Sequence, residues 1–187
     1  HIPGGLLYYS GMPKLTEMIY LGVFANDTLS KLIHFGFGVL ALVALYKLSK
    51  NFLDEKFSLL AVVIFYSNLV VGWQSTTAYV DLARTFFEIM ALWAFVNWWR
   101  EKKDIWLIEG AFMLGLSIST KLLSFSSILI FSVLLIYYFL RTRSKISKLV
   151  RTLALFIGTT LLVTLPYFIF SFINTGNPIY PIFSEFY

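Results

Sequence analysis

Cysteine is absent from the chain, which excludes a disulfide framework and a thiolate metal site. Charge is scarce: Asp, Glu, Lys and Arg make up 13% of its 187 residues, against about 25% in a typical soluble domain. With 58% hydrophobic and 19% aromatic residues, so few charges cannot cover the surface of a water-soluble globule. Lipid is the solvent that suits such a surface. Familiar catalytic patterns are missing too: there is no glycine-rich phosphate loop, no His/Glu zinc motif and no nucleophile elbow. No internal repeat, low-complexity tract or signal peptide is visible. Pro166 is the only proline in the middle of an apolar run. A transporter favours broken helices and ionisable groups near the bilayer midplane, so that class stands as an alternative only, beside a non-catalytic polytopic membrane protein.

What is present is a series of apolar runs. A membrane helix needs roughly 20 apolar residues at about 1.5 Å rise each. Six runs meet or approach this, at about residues 29–46, 57–71, 80–99, 105–120, 122–140 and 150–173; the second and fourth are short. The fold class expected is all-α, a polytopic membrane protein of about six transmembrane helices plus a short interfacial helix. Residues 1–187 form one membrane domain, and 1–28 belong to an outer loop. Within that loop residues 14–24 follow Pro13, are amphipathic and suit a helix lying in the membrane interface. Asp27 or Thr28 is the expected cap of the first span, and Asn26-Asp27-Thr28 also forms a glycosylation sequon.

The net charge of +5 does not point to nucleic acid, because the basic residues fall between the apolar runs. Lys47, Lys50 and Lys56 follow the first run, Arg100, Lys102 and Lys103 the third, and Arg141, Arg143, Lys145, Lys148 and Arg151 the fifth. These are eleven of the fifteen basic residues, all in alternate loops, and the positive-inside rule puts those loops in the cytoplasm. Trp98, Trp99 and Trp106 then anchor the inner interface and Trp73 the outer one. One unbroken helix over 105–140 would be about 54 Å long and would reverse this map, so a tight reversal is expected around residues 119–124.

Ionisable residues within a membrane are costly and mark candidate sites. Asp81, Arg84 and Glu88 are spaced by three and then four, so they share a helix face. The bland reading is a self-neutralising triad with Arg84 between two acids; Asp81, at the outer mouth after Gln74-Ser75-Thr76-Thr77, either caps its helix or serves function. Glu17 is either a solvated acid on the interfacial helix or a second reactive carboxylate. Lys121 either snorkels to the interface or binds a phosphate. His34 fits a hydrogen-bonded packing role. Glu109 can snorkel towards Lys102 or Lys103. Tyr8 and Tyr9 either stack on a sugar or are ordinary interfacial tyrosines. Thr175-Gly176-Asn177-Pro178 is a turn that ends the last span.

Four segments resemble one family in its own order. Met12-Pro13-Lys14-Leu15-Thr16-Glu17-Met18-Ile19-Tyr20 resembles the end of the first outer loop in GT-C membrane glycosyltransferases, which include protein O-mannosyltransferases and aminoarabinose transferases. Ala78-Tyr79-Val80-Asp81 resembles the start of a later span there. Gly115 through Thr120-Lys121 is similar to their G-L-x-x-x-T-K segment, and Thr175-Gly176-Asn177-Pro178-Ile179-Tyr180-Pro181 is similar to a tail of prokaryotic relatives. The resemblance implies a glycosyltransferase of the cell membrane that takes a sugar from a polyprenyl-phosphate donor in the bilayer. The sugar would pass to a protein, lipid or glycan acceptor on the periplasmic or extracellular face. It also implies roles: Asp81 and Glu17 catalytic, with Lys121, Arg84, Lys14 and Tyr9 binding substrate, and Asp81 able to hold a divalent cation such as Mg or Mn. Some members carry a basic residue just before the proline that matches Pro13, where this chain has Met12. The family's early carboxylate of the first outer loop would lie upstream of His1, so the chain reads as an internal piece that is expected to be inactive alone.

The absence of cysteine makes the topology directly testable. Single cysteines at Asp54, Asp104 and Ser147 are expected to be shielded from a membrane-impermeant thiol reagent, and those at Ser75 and Asn177 to lie outside. Labelling of position 147 from outside would overturn the map.

Overall fold

The apolar runs become helices because they are rich in residues that bury well, and their ends are marked by polar side chains that take up free backbone N–H groups. The computed structural model describes residues 11–23 and 26–182. Its regular elements are all helical, as the all-α reading expects: α1 (Leu15–Leu21), α2 (Asp27–Ser49), α3 (Glu55–Tyr66), α4 (Leu69–Gln74), α5 (Asp81–Glu101), α6 (Asp104–Thr120), α7 (Phe125–Arg141) and α8 (Ile146–Thr175). A 3-10 turn, Leu122–Ser124, leads into α7.

Two details correct the sequence reading. The cap of α2 is Asn26, whose side chain accepts from the Leu29 N–H at 3.0 Å; Asp27 is already helical and places its charge against the positive helix end. The second run is not one helix. Asn68 caps a new start by accepting from the Val70 N–H at 2.9 Å, so the chain breaks between α3 and α4. By length and composition alone, three of the described helices are long and apolar enough to cross a membrane, Asp27–Ser49, Leu122–Arg141 and Ile146–Thr175. Helix α5 has 21 residues but carries charges at both ends, α6 has 17 and α3 has 12.

The reversal expected around 119–124 is present. Lys121 leaves α6 in an extended conformation (φ −153°, ψ 123°), and α7 returns beside α5. Arg84 meets Ser124, Phe95 meets Phe131 and Trp98 meets Tyr138 in step, so α5 and α7 run in the same direction. Likewise α2 follows α5, from His34 beside Leu82 to Lys47 over Trp93. Helices α6 and α8 run the opposite way, with Ala111 beside Thr160 and Asp104 paired to Arg151. One end of the bundle therefore gathers the starts of α2, α5 and α7 with α1 and the close of α8. The other end gathers the basic loops.

Helix α6 is the centre of the packing. Its glycines face backbone: a Cβ at Gly110 would lie 3.1 Å from the Ala91 carbonyl, and one at Gly115 would lie 2.6 Å from Val163 Cβ and 3.0 Å from the Thr160 carbonyl. Leu107, Leu114 and Ile118 of α6 join Phe95, Leu135 and Phe156 in the core. Outward faces stay apolar, as with Ile64, Leu129 and Leu162, which suits a lipid surround. Ser75 and Asn177 are buried, so exposed Thr76 is the better labelling position at that end.

Gly115→Ala is expected to push α6 from α8 and destabilise the fold by about 1–3 kcal/mol, the usual scale of overpacking. Gly158→Ala, with open space around it, is expected to be neutral or slightly stabilising. Thermal unfolding of both variants in the same detergent checks this; equal melting temperatures would show that the α6–α8 contact yields freely.

Candidate functional site

The first turn of α5 is held from outside its own sequence. Its cap position, Val80, offers no side-chain acceptor. His34 of α2, fully buried, supplies one: its Nε2 accepts from the Leu82 N–H at 3.2 Å. Its Nδ1 lies 3.0 Å from the Gln74 carbonyl and 2.8 Å from the Thr77 carbonyl. Two acceptors on one nitrogen and a donor on the other select the neutral tautomer with the proton on Nδ1. The expected packing histidine thus also positions Asp81, one residue before Leu82.

Helix α1 is tied across the same end. The Thr16 hydroxyl donates to Thr120 Oγ1 at 3.3 Å, and the Tyr20 hydroxyl donates to the Tyr79 carbonyl. Burial and the nearby Glu17 charge push the Tyr20 phenol well above its usual range, so it remains a donor. The tail after α8 closes over this region. Gly176 takes the left-handed conformation (φ 76°), and buried Asn177 organises the loop: its amide donates to the Ile182 carbonyl at 2.6 Å while its oxygen accepts from the Ile179 N–H at 3.0 Å.

The charges sort into two pairs rather than one triad. Lys121 turns back to Asp81, Nζ to Oδ1 at 2.7 Å. Arg84 pairs with Glu88 at 3.1 Å and donates from Nε to Ser124 Oγ at 3.0 Å. Ser127 donates to the other Glu88 oxygen at 3.0 Å, and the Ser117 hydroxyl lies 2.8 Å from Ser124 Oγ. Arg84 therefore belongs to a side-chain network between α5 and α7, whereas Lys121 is the more open cation, with 43% of its side-chain surface exposed against 23% for Arg84.

Lys121 and Glu17 line one cavity of about 600 Å³, walled by Pro13, Tyr79, Leu123 and Pro181. A neighbouring apolar cavity of about 400 Å³ lies among Lys14, Met18, Leu116, Pro166 and Phe170. Met12 lines both. Glu17 retains accessible surface because it faces an open cavity, yet the apolar walls desolvate its carboxyl and push it above the usual carboxylate range. Its own backbone N–H, Lys14 and Lys121 pull the other way and do not cancel the effect. Tyr9, the remaining expected binding residue, lies outside the described residues.

The described residues do not fit a resident divalent cation. No group of three His, Asp or Glu side chains converges among them, and the Asp81 carboxylate is already engaged by an ammonium group. The hydroxyls of Thr16, Ser117, Thr120, Ser124 and Ser127 went unassigned from sequence. Their signal was there, in polar side chains placed within otherwise apolar segments on both sides of Lys121.

A lipid-facing helical bundle that gathers ion pairs and an open cavity at one end defines a membrane protein with a polar site at the rim of its apolar body. Residues 19–170 match the dolichyl-phosphate-mannose-protein mannosyltransferase family, and the chain belongs to that family of membrane glycosyltransferases. The matched stretch includes Asp81, Arg84 and Lys121, and the GT-C resemblance is borne out; Lys14 and Glu17 precede the match. No curated protein and no solved structure matches the chain at a significant level.

The raised Glu17 carboxyl makes stability depend on pH. The folded chain holds this proton more tightly than a carboxyl at 4.5, so the contribution is fully present below that value and is lost as pH rises through the folded pKa. Glu17→Gln is expected to remove this decline. Melting curves from about pH 4 to about pH 7 check it; parallel profiles for the two proteins would contradict the desolvated carboxyl.

Proposed function

We propose that this end of the bundle is the donor-side site of a multi-pass glycosyltransferase that takes a sugar from a polyprenyl-phosphate carrier and transfers it on the non-cytoplasmic face. The observation that carries the reading is the Lys121–Asp81 pair beside the 600 Å³ cavity. The sidedness rests on the basic residues at the opposite end. A sugar on a lipid phosphate needs two things. The departing phosphate needs positive charge fixed where negative charge develops, and the acceptor hydroxyl or amine needs a group to take its proton.

Lys121 fits the first need. It is a mobile point charge with three donors, it lines the cavity, and it is held in place by Asp81. Two carboxylates are suited to the second. Asp81 becomes available when Lys121 turns to a phosphate. Glu17 faces the same cavity, and its raised pKa moves it closer to the working range of a general base. Lys14 lines the apolar cavity that adjoins the first, where it adds positive charge beside a space suited to a hydrocarbon chain. Arg84 has a supporting part in this reading: through Glu88 and Ser124 it fixes the start of α7 against α5, so that Lys121 points at Asp81. No step is assigned to a metal.

In the full-length protein, Asp81→Asn is expected to lower sugar transfer from polyprenyl-phosphate mannose by about 100-fold or more, the scale of general-base assistance, and Lys121→Gln by a similar factor. Both variants are to be compared as monodisperse material with unchanged helix content. An Asp81→Asn protein that folds normally and keeps most of its transfer rate would rule the reading out.

A further inference from the structure

The opposite end of the bundle holds a cavity of its own, of about 250 Å³, that the proposed transfer reaction does not use. It is built where the α5–α6 and α7–α8 loops meet. Lys102, Lys148 and Arg151 line it, together with the hydroxyl-bearing Ser144 and Thr152. Trp98 and Tyr138 form an aromatic floor. Asp104 is the only acid in the wall and is paired with Arg151, so the three cations leave a net charge of +2.

Lys102 is held in an unusual way. It sits just past the end of α5 in the left-handed conformation (φ 59°), where glycine is the common choice because a Cβ crowds the backbone there. Its ammonium donates to the Trp99 carbonyl. It also lies 3.8 Å from the centre of the Tyr138 ring and 5.2 Å from that of Trp98. Arg143, in the other loop, is the second non-glycine residue with positive φ among those described. Two loops with basic residues in strained positions thus converge on one pocket, and the ammonium of Lys102 is fixed over aromatic rings rather than free to sweep through solvent.

We propose that this pocket binds a phosphoester group, with an anionic phospholipid headgroup as the source that its place at the bundle end favours. Cations and hydroxyls from two loops give the mixed donor set that phosphate oxygens accept from. The net positive charge prefers a singly or doubly charged phosphate over a zwitterionic headgroup. The aromatic floor lies at the level where tryptophan and tyrosine meet lipid headgroups. The proposal does not depend on the transfer reaction at the other end.

The test is a binding measurement on the whole chain in a neutral detergent. Native mass spectrometry would follow retention of phosphatidylglycerol, phosphatidylcholine and, in a separate arm, inorganic phosphate. Phosphatidylglycerol is expected to be retained and phosphatidylcholine not. Lys148→Ala, at an exposed position, is expected to weaken retention about fivefold, the effect of one juxtamembrane charge, and Lys148→Arg to restore it. Lys56→Ala removes an exposed charge at the same end but outside the pocket and is expected to have no effect. Inorganic phosphate that binds with the same Lys148 dependence, without lipid retention, would support the phosphate pocket and assign it a soluble ligand. Equal retention of both lipids would overturn the proposal, and so would equal losses in Lys148→Ala and Lys56→Ala, which would show diffuse attraction instead.

Discussion

The close approach of α6 to both α5 and α8 sets the geometry of the rest. Lipid offers no hydrophobic drive between helices, so association relies on small residues that let backbones touch. Gly110 does this towards α5 and Gly115 towards α8. This contact fixes the register of α6, and the register decides what stands at its end. Ser117 reaches the Arg84 carbonyl, Thr120 receives Thr16 of α1, and Lys121 arrives level with Asp81. A slip of one turn would move Lys121 by about 5.4 Å, far enough to break its ion pair.

Much of the fold was legible because lipid imposes a simple code. Apolar runs become helices, and the charge between them marks alternate ends. The reversal at Lys121 followed from length together with the alternation of the basic loops. His34 was read as a packing residue because a single histidine in an apolar run needs partners, and it has them. The pairing of Asp81 was not legible. Arg84 is its neighbour by helix spacing, whereas Lys121 lies forty positions away and reaches it only through the turn after α6. The break before α4 was hidden for a related reason. Asn68 sits in an apolar run that hydropathy counts as continuous, and only its side-chain bond to Val70 N–H reveals a second helix start.

The two ends of the bundle treat charge differently. At the α1 end, Arg84 with Glu88 and Lys121 with Asp81 form matched pairs, supported by serine hydroxyls. At the other end the cations outnumber the acids, and aromatic rings take part in holding them. This asymmetry is the same topological signal that the basic loops carry in the sequence. The structure adds that the first arrangement is directional and built around a cavity, while the second includes a pocket of its own.

The Asp81–Lys121 bridge also makes the ammonium carry its own counter-ion. An incoming anion must exchange with a carboxylate that is already bound at 2.7 Å, so a weakly charged solute gains little at this position. A phosphodiester carries one negative charge, as the carboxylate does, and competes through its additional acceptor oxygens; a phosphate monoester carries more charge and competes better still. The Lys121–Asp81 bridge is thus neutral while it is closed, and on the proposed reading an anion that opens it frees a carboxylate at the moment a positive charge is taken up.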